Sequence, residues 1–407
     1  MRMRYASQRM AVTSPSDYRA LLEFSSEREA SALRLLADGA SVADVARELG
    51  ITDSGVRKCV RRARLRAAKR GWAPEHGMTH VAPPGFHIKG TSTYHTETRQ
   101  WVKTQKDKES RIEDLLEAFE MASERFKGQS KAVPATLSRY VDEDLLAVYP
   151  MGDPHIGMFS WPEETGQAFD LKIAEQHLVQ AVDHLVDLAP PAKQALIINL
   201  GDFYHTDLKE NRTLRSANAL DVDTRWAKVL AVGIRIMQRC IDQSLTKHTR
   251  VRVINEIGNH DDHSAVMLSL CLANYYNNNP RVEVDTGPAP YHWHRFGKTL
   301  IGVTHGDKCK IDQLPTIMAA DRKEDWGETD HRYWYTGHVH HDSLKEFRGC
   351  TVETFRTLAA RDAWHHGAGY RSGRDMKLDV IHREFGKVNR HIIGIGQLEK
   401  LLLAKAD

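Results

Sequence analysis

Five short clusters of oxygen and imidazole donors punctuate the second half of this 407-residue chain, each directly after an apolar run. They are Asp153-Pro-His155, Gly201-Asp202-Phe-Tyr-His205, Gly258-Asn259-His260-Asp261, His305-Gly306-Asp307 and Gly337-His338-Val-His340. A lone Asp-x-His or His-x-His recurs by chance; five such endings in succession form a pattern. Carboxylate, amide and neutral imidazole are together the donors of hard and borderline divalent metals. Two such ions roughly 3.5–4 Å apart need a carboxylate to bridge them and offset their repulsion. Asp202 suits the bridge. Asp153, His155 and His340 then complete one site, and Asn259, His305 and His338 the other. The set lacks thiolate and so fits Mn, Fe, Zn, Mg or Ni without choosing among them; Mn is the working assignment. His260, beside Asn259 on the same turn, can carry a proton near neutral pH.

Such clusters need elements that bring them together. The apolar runs at 145–150, 195–200, 251–257, 299–304 and 332–336 have the length of buried strands. Between the first two, Leu171, Ala174, Leu178, Leu185 and Leu188 mark one face of a helix that Pro190-Pro191 stops. Residues 219–247 and 264–276 supply two more helices. Strands alternating with helices predict an α/β domain whose strands are buried on both faces. In such a domain the chemistry belongs at the carboxyl ends of the strands.

The N-terminal region reads differently. Residues 1–72 hold 15 Lys/Arg against 8 Asp/Glu, or +7, so with a whole-chain balance of +3 the remainder sums to −4. A basic head on a mildly acidic body points to a polyanionic partner. Ala30, Leu33 and Leu36 space a helix over 27–37, Ser41 caps a second over 42–49, and Gly50-Ile51-Thr52 turns into a third over about 53–69. This order predicts a small all-α helix-turn-helix domain. Its third helix carries Arg57, Lys58, Arg61, Arg62, Arg64, Arg66, Lys69 and, just beyond, Arg70, with Val56 and Val60 as apolar anchors. Cations outward and a thin apolar seam inward suit a DNA recognition helix. A solvated basic helix or a protein-docking unit is the alternative.

Residues 73–142 read as a linker with a β-hairpin around 86–94 and 99–104, then a charged helix over 107–127, and 143–407 as the main domain. A composition of 41% hydrophobic and 27% charged residues fits a soluble globular protein. No run approaches the ~20 apolar residues that span a bilayer, and the N-terminus lacks a signal peptide's apolar segment. Both features point to a cytoplasmic protein that does not engage membranes. The five cysteines are scattered without CxxC spacing and read as small buried hydrophobes. The helix at 107–127 permits dimerisation without demanding it.

The donor set resembles the calcineurin-like metallophosphoesterase superfamily, which reads D-x-H, G-D, G-N-H-[DE], a later His and G-H-x-H. The resemblance spans about residues 143–345 and fills all seven ligand positions. It implies a β-sandwich flanked by helices, a metal-bridging hydroxide that attacks phosphorus, and His260 as acid for the leaving oxygen. Gly201-Asp202-Phe-Tyr-His205 is also similar to the nuclease subunit of double-strand-break repair exonucleases, which implies that His205 helps to hold the scissile phosphate. A hydrogen bonder behind the ligands is the other role open to His205. The segment 41–60 resembles helix-turn-helix modules of transposases and phage DNA-binding proteins, and the order of modules resembles proteins of tailed phages and prophages.

Two further segments bear on substrate. Lys209, Arg212 and Arg215 fall on a loop near the proposed metals. Near the C-terminus, Arg356, Arg361, Trp364, His365, His366, Tyr370, Arg371 and Arg374 interleave cations with aromatics. Such a segment suits a groove for phosphates and stacked bases; a turn with Trp364 and Tyr370 packed inward is equally open. Little more than 60 residues follow His340, too few for the DNA-capping domain of the repair nucleases. The leading expectation is a dinuclear-metal phosphodiesterase acting on DNA, most simply a nuclease. Its rivals are a phosphatase or small-nucleotide phosphodiesterase with a localising N-terminal module, and a DNA-binding regulator with an inert phosphoesterase fold.

Overall fold

A computed structural model of the chain describes residues 15–69, 72–73, 78–79, 91–95, 100–104, 127–134, 141–207, 211–213 and 219–404. The chain forms two compact units, Met1–Ile112 and Glu113–Asp407.

In the first unit α1 (Pro15–Leu21) leads through a 3₁₀ turn into α2 (Glu27–Ala37), α3 (Val42–Glu48) and α4 (Asp53–Lys69). Ser26 and Glu29 form a capping box at the start of α2, and the Ser41 hydroxyl accepts from the Asp44 amide at the start of α3. These caps satisfy amides that a helix start leaves without partners. Leu21, Phe24, Leu33, Leu36, Val45, Val56, Val60 and Ala63 form the core. Gly50, at φ +62°, makes the left-handed turn between α3 and α4. Strands β1 (Trp72–Ala73) and β2 (Met78–Thr79) pair, as do β3 (Thr91–His95) and β4 (Gln100–Thr104). The second pairing joins the two strands of the expected hairpin, while residues 96–99 and almost all of the helix expected over 107–127 lie outside the described residues.

The second unit is built on two mixed sheets. The first has the order β15-β14-β5-β6-β7-β8. Its parallel strands are β5 (Asp142–Met151), β6 (Ala192–Asn199), β7 (Arg250–Asn255) and β8 (Val282–Val284); β14 (Asp375–His382) adds antiparallel to β5, and β15 (Gly386–Gly394) antiparallel to β14. The second sheet, β12-β13-β11-β10-β9, runs β10 (Thr299–Val303), β11 (His331–Thr336) and β13 (Cys350–Thr354) parallel. Strands β9 (His292–Phe296) and β12 (Ser343–Phe347) close its edges.

Alternation along each strand explains the layers. Leu146, Val148, Leu196 and Ile198 face Ile301, Val303, Tyr335 and Phe355, which makes the core between the sheets. Their neighbours Ala147, Tyr149, Met151 and Ile197 point the other way. They meet a helical layer of α6 (Leu171–Leu188), α7 (Trp226–Lys247) and α8 (Ser264–Tyr275), joined at its edge by α12 (Ile395–Ala404). The outer face of the second sheet, with Leu300, Trp334 and Val352, packs on Leu314 and Met318 of α9 (Leu314–Asp321). The unit is therefore a β-sandwich flanked by helices, with a small all-α bundle in the N-terminal unit. Residues 127–134 belong to this second unit: the Gly128 amide donates to the Asn274 carbonyl and Arg281 donates to the Val133 carbonyl.

A buried charge network bolts the sheets together. Glu353 of β13 accepts from both terminal nitrogens of Arg390, at 2.6 and 2.7 Å, and pairs with Lys377 and Lys387. Asp379 of β14 pairs with Arg390 and Lys387 and accepts from the Tyr335 hydroxyl at 2.5 Å. Burial alone would raise both carboxyls, but Arg390 and Lys387 outweigh it and hold them below the ordinary carboxylate range. All five cysteines are free, and no helix of the described residues is long and apolar enough to cross a membrane.

Candidate metal centre

The carboxyl ends of β5, β6, β7, β10 and β11 bring their donors together beside one cavity. Asp202, Asn259, His260, His338 and His340 line this space of about 260 Å³. Among the described residues, six other than glycine have positive φ, and five are expected ligands: Asp153, His155, Asp202, His338 and His340. The left-handed turn sends each side chain back over its own strand end, a strain that folds maintain mainly at functional sites.

The donors fall into three overlapping groups able to hold a cation: Asp153, His155 and His340; Asp202, His305 and His338, both as expected; and His155, His205 and His260. In the first, His155 Nε2 and His340 Nε2 stand 3.1 Å apart, and the Asp153 carboxylate is steadied by the His338 amide at 2.9 Å. In the second, His305 Nε2 lies 3.1 Å from Asn259 Oδ1, 3.2 Å from Asp202 Oδ2 and 3.2 Å from His338 Nδ1. His305 donates its Nδ1–H to the Leu200 carbonyl at 2.8 Å, so loss of its second proton would leave a lone pair at Nε2. Four acceptors then converge where a divalent ion would satisfy them together, and the donor chemistry fits one. The grouping itself puts Asp202 with His305 and His338.

The electrostatics agree with that fit. Burial, with neighbouring imidazoles, drives His155 well below the ordinary histidine range and His340 down to about 3, so both are neutral ligands. Burial raises Asp153 to about 7, whereas Asp202, despite its burial, is held well below the carboxylate range by His305. His305 resists the lowering effect of burial because Asp202 and Asp153 face it, and it rises to about 10. In the protein alone this proton carries the positive charge that the carboxylates demand, and an incoming cation displaces it.

Supporting contacts fix the turns. A Cβ on Gly201 would overlap the His305 ring and one on Gly258 the Asp202 carboxylate, so both positions must be glycine. Asp261 accepts from the amides of Gly258 and Tyr204, at 2.9 and 3.1 Å, and ties the turn after β7 to the turn after β6. Asp207 caps α8 by accepting from the amides of His263 and Ser264. His260 donates its amide to Asp202 Oδ1 at 2.8 Å and its Nδ1–H to the His205 carbonyl at 2.9 Å, which leaves Nε2 for the cavity.

His205 itself is fully buried and is absent from the cavity lining among the described residues. Its Nδ1 lies 3.2 Å from His155 Nδ1, and burial holds it near 3. It is a neutral neighbour of His155 and belongs with His155 and His260 to the third group of donors.

The cationic residues expected at the substrate divide. Lys209 and Arg215 lie outside the described residues, whereas Arg212 is exposed, on a short bridge to Ala219, which lines the cavity. Arg361 donates to the Tyr370 carbonyl, Arg371 to the His366 and Tyr370 carbonyls, Arg374 to the Leu358 carbonyl, and Arg356 to Asp375. These arginines hold the turn after β13 in shape, and Trp364, His365 and Tyr370 are the members of the segment that line the cavity. On α4, Arg57, Lys58 and Arg61 are exposed and Arg62 and Arg64 half-buried. Arg66 turns inward to the Phe24 carbonyl and Glu29. Lys69 ends α4 with its side chain outside the described residues, as is Arg70.

Sequence reasoning missed Thr357 and Asp362. The Thr357 hydroxyl donates to the Asp153 carbonyl at 2.6 Å, and Asp362 fixes His365 on the cavity wall. Both follow β13, a parallel strand whose alternating Cys350-Thr-Val-Glu-Thr could have been read as one more strand with a functional end.

No family model matches the sequence, and no curated protein matches it. Solved structures to which the chain is similar include a predicted phosphoesterase from Streptococcus pneumoniae TIGR4, at 12% identity and TM-score 0.25 over 62% of this chain and 99% of that one. A novel archaeal phosphodiesterase aligns at 13% identity and TM-score 0.30 over 61% and 99%. Vps29 from Entamoeba histolytica, complexed with zinc, aligns at 12% identity and TM-score 0.23 over 61% and 98%. Likeness at this level leaves the chemistry of the site to its own side chains.

Proposed function

We propose that the chain is a dinuclear-metal phosphodiesterase of the calcineurin-like metallophosphoesterase type, acting on DNA as a nuclease. The observation that carries the proposal is the convergence of Asp153, His155, Asp202, Asn259, His305, His338 and His340 into adjoining donor groups, at a cavity lined by Asp202, Asn259, His338, His340 and His260. Asp153, His155 and His340 would hold one divalent ion, Asn259, His305 and His338 the other, and Asp202 both. Bound there, the ions would supply an acidified water and neutralise charge on the phosphoryl oxygens.

The protein's own residues do the rest. His260, with its ring fixed by the His205 carbonyl, holds a proton at Nε2 for the leaving oxygen. His205 keeps His155 in place from behind. DNA as substrate is supported by the cations of α4 in the first unit, which we take as a helix-turn-helix DNA-binding module. Manganese is the working metal, and a cytoplasmic, phage or prophage setting is part of the same reading.

The test restores metal-free protein with Mn²⁺ and offers linear, nicked and single-stranded DNA, bis-nitrophenyl phosphate and nitrophenyl phosphate. Cleavage of DNA and of the diester is expected. Turnover of the monoester alone would replace the nuclease with a phosphatase. No turnover with any divalent metal would favour a DNA-binding regulator. Asp202→Ala should abolish both metal binding and turnover, whereas His260→Ala should keep the metals and lose about 10²–10⁴ in rate.

A further inference from the structure

The wall of the cavity opposite Asn259 and His260 is aromatic. His365 stacks on the candidate ligand His340 at 4.8 Å and 24°. It then meets Trp364 edge-on at 4.9 Å and Tyr370 edge-on at 5.1 Å. Trp364 and Tyr370 lie 5.9 Å apart, and all three rings line the same space as Asp202 and His338.

This run of rings is held rigidly. Asp362 accepts from both the amide and Nδ1–H of His365, at 2.8 and 2.6 Å, and Arg361 and Arg371 clamp the Tyr370 carbonyl. Yet Trp364 at its outer end is 61% exposed. A large ring left in water beside a buried polar site forgoes the burial that normally stabilises it, which is the mark of a surface completed by a ligand. The arginines of the segment are engaged in the turn, so the wall offers π-faces more than cations.

We propose that Trp364, with His365 and Tyr370, forms a nucleobase subsite, so that the base next to the reacting phosphate leaves its stack and lies on Trp364. The inference rests on the phosphodiesterase reading above and narrows it. A cavity of about 260 Å³ is at the small end of ligand sites, which run from roughly 300 Å³ upward. Its size matches one nucleotide better than a base pair. The substrate is then an unpaired nucleotide: a single strand, a frayed end or a free nucleotide ester.

The test measures binding and needs no turnover. Full-length protein in Mn²⁺ is titrated calorimetrically with AMP, thymidine monophosphate and ribose 5-phosphate. The two nucleotides should bind on the order of tenfold to a hundredfold more tightly than the sugar phosphate. Trp364→Ala should erase that preference, and Trp364→Phe should keep most of it. Equal affinity for AMP and ribose 5-phosphate in the native protein would overturn the subsite, as would an undiminished preference in Trp364→Ala. A wrong phosphodiesterase assignment would show separately, as failure of the native protein to cleave any diester while base-dependent binding persists.

Discussion

Gly258→Ala is a minimal perturbation that reaches the centre without touching a ligand. A Cβ there would overlap a carboxylate oxygen and the backbone nitrogen of Asp202, and would lie 2.8 Å from Asp202 Cγ. Carbon atoms pack comfortably at about 3.5–4.0 Å, so the carboxylate must retreat by about 1 Å. That retreat pulls Oδ1 from the His260 amide at 2.8 Å and Oδ2 from His305 Nε2 at 3.2 Å. Metal sites tolerate ligand shifts of only ~0.2 Å, and a misplacement of ~1 Å at a reacting centre costs on the order of a hundredfold in rate. The variant should therefore bind Mn²⁺ at least ~10-fold more weakly by calorimetry. Its kcat/KM for bis-nitrophenyl phosphate should fall on the order of a hundredfold. Gly396→Ala is the control: its Cβ meets nothing within 4 Å and its φ is not left-handed. It should match the native protein in activity and melt no lower. Native metal affinity and rate in Gly258→Ala would refute the packing of Asp202 against this turn.

Three other outcomes follow from the same structure. Glu353 and Asp379 have folded pKa values below their unfolded ones, so their contribution is complete above the carboxylate range near pH 4 and fades as pH falls through the folded values. Melting temperature should thus drop steeply below about pH 4, and Glu353→Ala should cost ~3–5 kcal/mol at neutral pH by denaturant melts; a pH-independent melt would remove the charge bolt from the fold. Replacing Arg57, Lys58, Arg61 and Arg62 with Gln should weaken DNA binding across sequences and reduce the slope of log affinity against log salt by about one for each phosphate no longer neutralised. An unchanged slope would mean that α4 does not engage DNA.

Strands β5, β6, β7, β10 and β11 were readable because at least half of each is buried and so appears as an apolar run. Helix α2 was equally plain, since Ser26 and Ala37 bracket a run whose apolar positions share one face. Strand β14 was hidden for the opposite reason. Asp375, Lys377 and Asp379 are charged yet buried, because their partners Arg356, Glu353 and Arg390 come from elsewhere in the chain. A local pattern cannot reveal a charge neutralised from well beyond its own strand. The donor clusters were legible by type and position, and the cavity wall in part. Arginine and aromatic residues interleave at 356–374, but the arginines serve backbone carbonyls and Asp375, and the rings were left to face the metals' cavity.

The left-handed turns link the stability of the scaffold to its chemistry. A residue other than glycine in that region costs on the order of 1–3 kcal/mol, and Asp153, His155, Asp202, His338 and His340 all adopt it. His338, at φ +71° and exposed, separates the two effects best. Its amide anchors Asp153 and survives any substitution except proline, while its ring touches His305 at the candidate metal position. In His338→Gly the backbone relaxes without loss of that anchor, so the metal-free protein should melt ~2–4 °C higher, the shift that ~1 kcal/mol produces in a domain of this size class. The same variant lacks a ligand and should lose turnover with Mn²⁺. A lower melting temperature would mean that the ring's contacts outweigh the strain. Higher stability with lost activity is the expected signature of a turn held in its conformation for what it binds.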